Sequence, residues 1–243
     1  MQVAGSVALI SGANRGIGAH LVDQLIARRA EKIYACARDT DTLKATVAAA
    51  PEVIVPLQLD ITDQASVDAA AEIAQDSTLL INNAGVLLFG GPLDQDIESM
   101  RTEIETNFFG TVRMCRAFVP VLEANGGGAI VNILTVIALA PKLGLTGYSA
   151  SKAASHCWTQ ALRASVAPKN IAVHGIYPGP VDTDMLRTAT VEKARPDEVA
   201  TACIDGLEAG LEDIFPDAES SHASVIWRGD PKALEATFTA RAF

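Results

Sequence analysis

Short, almost wholly apolar runs alternate along the chain with longer stretches in which apolar residues recur every three or four positions. The first kind suits strands buried on both faces, and the second suits helices that cover them with one apolar stripe. Runs at 6–11 (SVALIS), 32–37 (KIYACA), 52–60 (EVIVPLQLD), 77–85 (STLLINNAG), 128–134 (GAIVNIL) and 170–176 (NIAVHGI) predict six strands. A shorter seventh is expected near 213–215. Helical spacing covers 16–29, 40–50, a segment capped by Asp63, one long helix over 97–122, a second long helix opened by Tyr148, and one after Pro196. Asp230 and Pro231 read as the cap and first turn of a last helix, with Leu234 and Phe238 on one face. Strands separated by helices call for right-handed crossovers. The expected fold is therefore α/β, a doubly wound (Rossmann) parallel sheet of about seven strands with helices on both faces. Ligands of such sheets bind at the carboxyl ends of the strands.

Length and composition narrow this picture. At 243 residues, with nothing resembling a linker or repeat, the chain reads as a single domain, 1–243. Hydrophobic residues make up 49% of it and aromatic ones only 5%, so Ala, Val, Ile and Leu must fill the core. A formal charge of −10 argues against a nucleic-acid partner, which needs a basic footprint. Cys36, Cys115, Cys157 and Cys203 show no CxxC spacing, and His20, His156, His174 and His222 form no ligand set, so neither a metal nor a disulfide framework is expected. There is no basic leader and no apolar run of membrane length; a soluble, cytoplasmic protein is expected.

The first strand runs directly into SGANRGIG, which places Gly12, Gly16 and Gly18 at the mouth of the first helix. Glycines let a backbone turn sharply and approach a pyrophosphate, which the free N–H groups of the helix then hold. At the end of the second strand, where a carboxylate would bind the ribose hydroxyls of NAD, the residues are Ala37 and Arg38, with Arg15 nearby in the glycine loop. Two guanidiniums suit a 2′-phosphate, so NADP(H) is the expected cofactor. Asp39 and Asp41 follow just beyond.

Tyr148 and Lys152 are four apart and share one helix face. A free tyrosine is a poor base at neutral pH, but a nearby ammonium and an oxidised nicotinamide favour its ionised form. It could then exchange a proton with a substrate oxygen while hydride moves to or from the cofactor.

In chain order, GANRGIG, LDITD, NNAG at 82–85, ETNFFG at 105–110, YSASK and PGPVDT at 178–183 resemble the motifs of the short-chain dehydrogenase/reductase superfamily, over residues 6 to about 186. The resemblance implies that Asn14 and Ile17 belong to the dinucleotide loop, that Asp60 and Ile61 hold adenine, and that Asn83, Ala84 and Gly85 support the cofactor side of the sheet. It implies further that Asn107 positions the lysine and a relay water through its helix backbone. Lys152 would bind the nicotinamide ribose, and Pro178, Gly179, Val181 and Thr183 would lie at the carboxamide end. The family's substrate-polarising serine is replaced here by Thr135, 13 residues before the tyrosine. Threonine keeps the hydroxyl and adds a methyl beside the substrate carbon. Ser149 and Ser151 share the tyrosine's helix but are expected to point away from its face, and Thr146 lies in the approach to it.

Two departures from the family pattern stand out. Only residues 184–195 separate Thr183 from Pro196, so the lid should be short and the pocket open, lined by Val86, Leu87, Leu139, Leu143, Leu145, Tyr177, Met185 and Leu186. The family's C-terminal strand is replaced by EDIFPDAESS and the DPKALEATF helix, so a dimer through the two long helices is expected more firmly than a homotetramer. The leading functional reading is an NADPH-dependent carbonyl reductase or secondary alcohol dehydrogenase acting on a small ketone or alcohol. The competing one is a catalytically silent nucleotide sensor of the same fold.

Overall fold

The structure is a computed structural model that describes residues 1–240; the last three residues of the expected domain lie outside the described residues. The seven expected strands are Val7–Ser11 (β1), Lys32–Ala37 (β2), Ile54–Gln58 (β3), Leu79–Asn82 (β4), Gly128–Ile133 (β5), Ile171–Ile176 (β6) and Asp213–Ile214 (β7). They form one sheet in the order β3-β2-β1-β4-β5-β6-β7, and every pairing is parallel. All five residues of β1 are buried, whereas β3, at one edge, exposes Val55, Pro56 and Gln58; edges tolerate a proline such as Pro56.

The helices divide between the two faces. Gly16–Ala27 (α1), Lys44–Ala49 (α2) and Pro196–Glu208 (α7) cover one; Leu21, Leu25, Val199 and Ile204 pack there against Ala8, Ile10 and Ile33. Gln64–Ile73 (α3), Thr111–Ala124 (α5) and Thr146–Val166 (α6) cover the other, where Val67, Met114, Phe118 and Leu122 meet Leu9, Leu80 and Ile130. The cap expected at Asp63 accepts the Ala65 N–H at 3.1 Å. Between β4 and β5, Asn82 Nδ2 donates to Asn132 Oδ1 at 2.8 Å, and Asn132 Nδ2 donates to Thr159 Oγ1 at 2.9 Å. This buried polar ladder fixes the register of the central strands and the height of α6 on them.

Three elements differ from the sequence reading. The helix expected over 97–122 is not continuous: Ile97–Glu103 (α4) passes into a π-helical segment, Ile104–Gly110, before α5 resumes and runs on to Ala124. A π segment admits an extra residue per turn and cannot be read from apolar spacing. Its cause is visible around Asn107, whose side chain and carbonyl are both held by groups outside the helix, and at Gly110, where a Cβ would come within 2.7 Å of Ile61 Cδ1. The segment expected as a helix over 40–50 begins as a 3-10 turn, Thr40–Leu43, capped by Asp39, which accepts the Asp41 N–H. Finally, 218–229 is a helix (α8) that apolar spacing did not indicate; its start is a reciprocal cap between Asp217 and Ser220.

The last helix, Pro231–Thr239 (α9), follows at once, with Asp230 accepting the Lys232 N–H as expected. Leu234 and Phe238 pack with Ala223 onto Leu134, Val136, Ala140 and Tyr177, so α8 and α9 form a hairpin seated on the segment after β5. Among the described residues, no helix is long and apolar enough to cross a membrane. Leu234 is fully buried, so Leu234→Ala is expected to cost about 2–5 kcal/mol by the loss of contact and the cavity left behind. Urea denaturation measures this, and a loss near zero would show that the hairpin is not part of the folding unit.

Candidate active site

The chain leaves β1 through a backbone that favours glycine. Gly12 and Gly16 have φ of +68° and +56°, and a Cβ on Gly18 would lie 2.1 Å from the Gly12 carbonyl oxygen, so α1 sits directly against the turn. The turn is tied to the end of β4: Asn83 Nδ2 donates to the carbonyls of Ser11 and Gly12 at 3.0 and 2.9 Å, and Ser11 Oγ accepts the N–H groups of Asn83 and Ala84, both at 3.1 Å. The strand order reverses at this point, and a cleft of about 680 Å3 opens there.

Gly12, Asn14, Arg15, Gly16, Ile17, Arg38, Asp60, Ile61, Asn83, Ala84 and Gly85 line one end of the cleft. Pro178, Gly179, Val181, Thr183, Thr135, Tyr148 and Lys152 line the rest. Gly18 and Asn107 stand behind it. Arg15 and Arg38 are both exposed, and Arg15 reaches Asp184 of the short lid at 3.4 Å. The Asp39 carboxylate is engaged as the cap of the turn that follows it, and Asp41 pairs with Lys44 at 3.1 Å. Asp60 accepts both the hydroxyl and the N–H of Thr62, which hold its carboxyl below the usual range, with a smaller pull from Arg38.

Around Tyr148 the polar contacts are dense. Lys152 Nζ donates to the Ile133 carbonyl at 2.7 Å and lies 5.8 Å from the centre of the Tyr148 ring. Asn107 grips Val86 in both directions, its Oδ1 accepting the N–H at 2.8 Å and its Nδ2 donating to the carbonyl at 2.9 Å. The same Nδ2 donates to Ser151 Oγ, which donates to the Tyr148 carbonyl at 2.7 Å. Ser151 is thus buried within the site, contrary to the expectation that it points away. A serine three residues after the tyrosine that bonds back along its own helix is the signal that was there to be read. The Asn107 carbonyl accepts Thr111 Oγ1 and Ser155 Oγ. Gly85 completes the contact, since a Cβ there would lie 3.0 Å from Asn107 Oδ1 and 3.7 Å from Lys152 Nζ.

Thr135 Oγ1 donates to the Pro178 carbonyl at 3.1 Å and accepts the Ile137 N–H at 3.4 Å. Asp217, the cap of α8, accepts the Gly179 N–H at 2.8 Å, so the C-terminal hairpin is bonded to the segment that Thr135 faces. Of the expected pocket wall, Val86, Leu87, Leu145, Met185 and Leu186 line the cleft; Leu139, Leu143 and Tyr177 do not. Tyr177 is fully buried against Phe215, with its hydroxyl 2.7 Å from His156 Nδ1. In their place the wall includes Lys142, from the loop between β5 and α6, and Val191, Glu192, Glu219 and Phe238, which spacing could not place because the chain brings them in from the lid and the C-terminal hairpin.

Burial and a nearby carboxylate also act on the tyrosine. Burial pushes its pKa up, and the negative charge of Glu103 adds to this, while burial lowers that of Lys152 to about 8. Both effects oppose ionisation of the phenol, the sense opposite to that of a neighbouring cation.

The short chain dehydrogenase family model matches residues 6–194. The chain belongs to the short-chain dehydrogenase family. Within the family, it is 30% identical over 215 residues to 3-alpha-(or 20-beta)-hydroxysteroid dehydrogenase of Mycobacterium tuberculosis, covering 84% of this chain and 82% of that one. It is 27% identical to the 3-oxoacyl-(acyl-carrier-protein) reductase of Vibrio harveyi, over 98% and 95%. Among solved structures it resembles a short chain dehydrogenase from Burkholderia cenocepacia in complex with NADP, with a TM-score of 0.92, 39% identity and coverage of 98% and 99%.

An amine of ordinary pKa 10.5 that falls to about 8 on folding binds fewer protons folded than unfolded between those values. The cost is fully present below pH 8 and disappears as pH rises toward 10.5. Lys152→Met should therefore be more stable than the parent at pH 7 by about 1–3 kcal/mol, the gap closing by pH 10, as urea titrations would record. Equal stability at both pH values would mean that Lys152 is not held at a cost.

Proposed function

We propose that this protein is an NADPH-dependent carbonyl reductase, or in the reverse direction a secondary alcohol dehydrogenase. The observation that carries the reading is that Thr135, Tyr148 and Lys152 line the same cleft as the glycine turn. When bound, NADP(H) supplies or takes up the hydride. The turn from Gly12 to Gly18, with Asn14 and Ile17, would hold the pyrophosphate at the start of α1. Arg15 and Arg38 would hold the 2′-phosphate, an assignment favoured by the engagement of Asp39 in its own cap. Asp60 and Ile61 would bind adenine, Asn83 to Gly85 would back the cofactor, and Pro178, Gly179, Val181 and Thr183 would meet its carboxamide end. The NADP-bound Burkholderia cenocepacia structure supports this choice.

The chain's own groups then divide the work on the substrate. Thr135 donates its hydroxyl to the substrate oxygen by turning it from the Pro178 carbonyl. Tyr148 passes the proton, Lys152 holds the ribose and steadies the phenolate, and Asn107 fixes Val86 and, through Ser151, the tyrosine's backbone. Relatives named for hydroxysteroid and 3-oxoacyl chemistry support a ketone as substrate. A dimer is also part of this reading, through the outer groove of α5 and α6 lined by Val119, Pro120, Trp158 and Leu162; gel filtration with light scattering tests it.

Incubation with NADPH or NADH and a panel of aryl, aliphatic and cyclic ketones tests the activity. Consumption of NADPH in preference to NADH is expected, and nucleotide binding without turnover of any ketone would favour a sensor instead. Tyr148→Phe should lower turnover about 100- to 10,000-fold, and Thr135→Ala about 10- to 100-fold with nucleotide affinity little changed. Unchanged turnover in Thr135→Ala would remove that residue from the mechanism. Arg38→Ala should raise the KM for NADPH and not for NADH; an equal effect on both would sink the 2′-phosphate assignment.

A further inference from the structure

A buried carboxylate lies behind the start of the helix that carries Tyr148. Glu103, the last residue of α4, is fully buried, and Gln95 in the preceding loop nearly so. Glu103 Oε1 accepts the Leu88 N–H at 2.8 Å, and Oε2 accepts Gln95 Nε2 at 2.9 Å. Gln95 Nε2 also faces the Leu88 carbonyl at 3.4 Å, and its Oε1 accepts the Gly147 N–H at 2.9 Å. Gly147 immediately precedes Tyr148, and a Cβ there would lie 2.2 Å from Glu103 Oε2. The two backbone segments that this pair joins are also bonded to each other, Gly90 N–H to Gly144 and Thr146 N–H to Gly90.

The polarity of the relay is fixed at its ends. It terminates on two backbone donors, the N–H groups of Leu88 and Gly147, which cannot be reversed. An amide side chain accepts at one end and donates at the other, so two amides in series cannot end on donors at both sides. One of the two side chains must accept at both ends, and a carboxylate does so. Burying that charge is costly unless its position is required.

We propose that Glu103 is a positioning residue which, through Gln95, fixes the backbone amide ahead of Tyr148 and, through Leu88, the wall segment carrying Val86 and Leu87. The same carboxylate has an electrostatic consequence, since its charge opposes ionisation of Tyr148. Its own carboxyl is pushed up by burial against the two donors. Lys152 from the same helix lies 5.8 Å from the centre of the Tyr148 ring, and Lys142, Glu192 and Glu219 are among the charged residues that line the same cleft. The electrostatic part rests on Tyr148 being the acid/base; the positioning part does not.

Three proteins test this: Glu103→Gln, the reciprocal double variant Gln95→Glu with Glu103→Gln, and Tyr148→Phe as the chemical control. Glu103→Gln leaves two donors facing each other and should lower both the melting temperature and ketone turnover, the latter about 10-fold or more. In the double variant, the amide placed at 103 accepts from Leu88 and donates to the carboxylate placed at 95, which also accepts from Gly147. Melting temperature and turnover should recover. The basic limb of the pH profile for ketone reduction should move to lower pH in Glu103→Gln, by about half to one unit, a 3- to 10-fold loss on the limb, and return in the double variant. If Glu103→Gln does not fold, recovery of a folded double variant is itself the rescue. A double variant no better than the single one, or a single variant equal to the parent, overturns the proposal. Rescue of melting with Tyr148→Phe still active would uphold the positioning and discard the acid/base reading on which the electrostatic part rests.

Discussion

After β3 the chain has reached one edge of the sheet and must cross back over β1 to lay β4 on its other side. That reversal leaves two helices diverging from neighbouring strand ends with a gap between them, and the polar chemistry of the molecule is arranged around the gap. Ser11 and Asn83 bond the ends of β1 and β4 to each other across it, so the glycine turn is set by the sheet rather than by loop flexibility. Had β4 been added beyond β3, the turn, Tyr148 and Lys152 would share no cleft. The buried Asn82–Asn132–Thr159 ladder extends the same constraint to α6, which sets the height at which the tyrosine arrives.

Much of this was legible in the residues. Apolar runs of five or six residues between helical segments are short for helices and suit strands, so the sheet followed from the pattern, and the caps at Asp63 and Asp230 followed from side-chain chemistry. Glycine spacing placed the turn, and the four-residue spacing of Tyr148 and Lys152 placed them on one face. What escaped depends on contacts distant in sequence. The π segment around Asn107 exists because Val86, Ser151 and Ser155 claim its polar groups, and no local spacing reports that. Helix α8 buries Ser220, Ala223 and Ser224 rather than a stripe of large apolar residues, and it is capped by Asp217 and packed with α9. Tyr177 looked like pocket wall from its place after β6 but turned inward, where His156 and Phe215 enclose it.

Electrostatics followed burial more than pairing. From sequence, a lysine four residues from a tyrosine favours phenolate together with an oxidised nicotinamide; in the folded protein burial pushes both groups toward their neutral forms.

The hairpin of α8 and α9 touches the segment that carries Thr135 on one side and the Gly179 amide on the other, yet contributes no strand to the sheet. Glu219 and Phe238 of this hairpin line the cleft, while the glycine turn, Thr135, Tyr148 and Lys152 all come from earlier in the chain. A change in this hairpin can therefore reshape one wall of the cleft without moving a strand end, because no strand of the sheet lies within it.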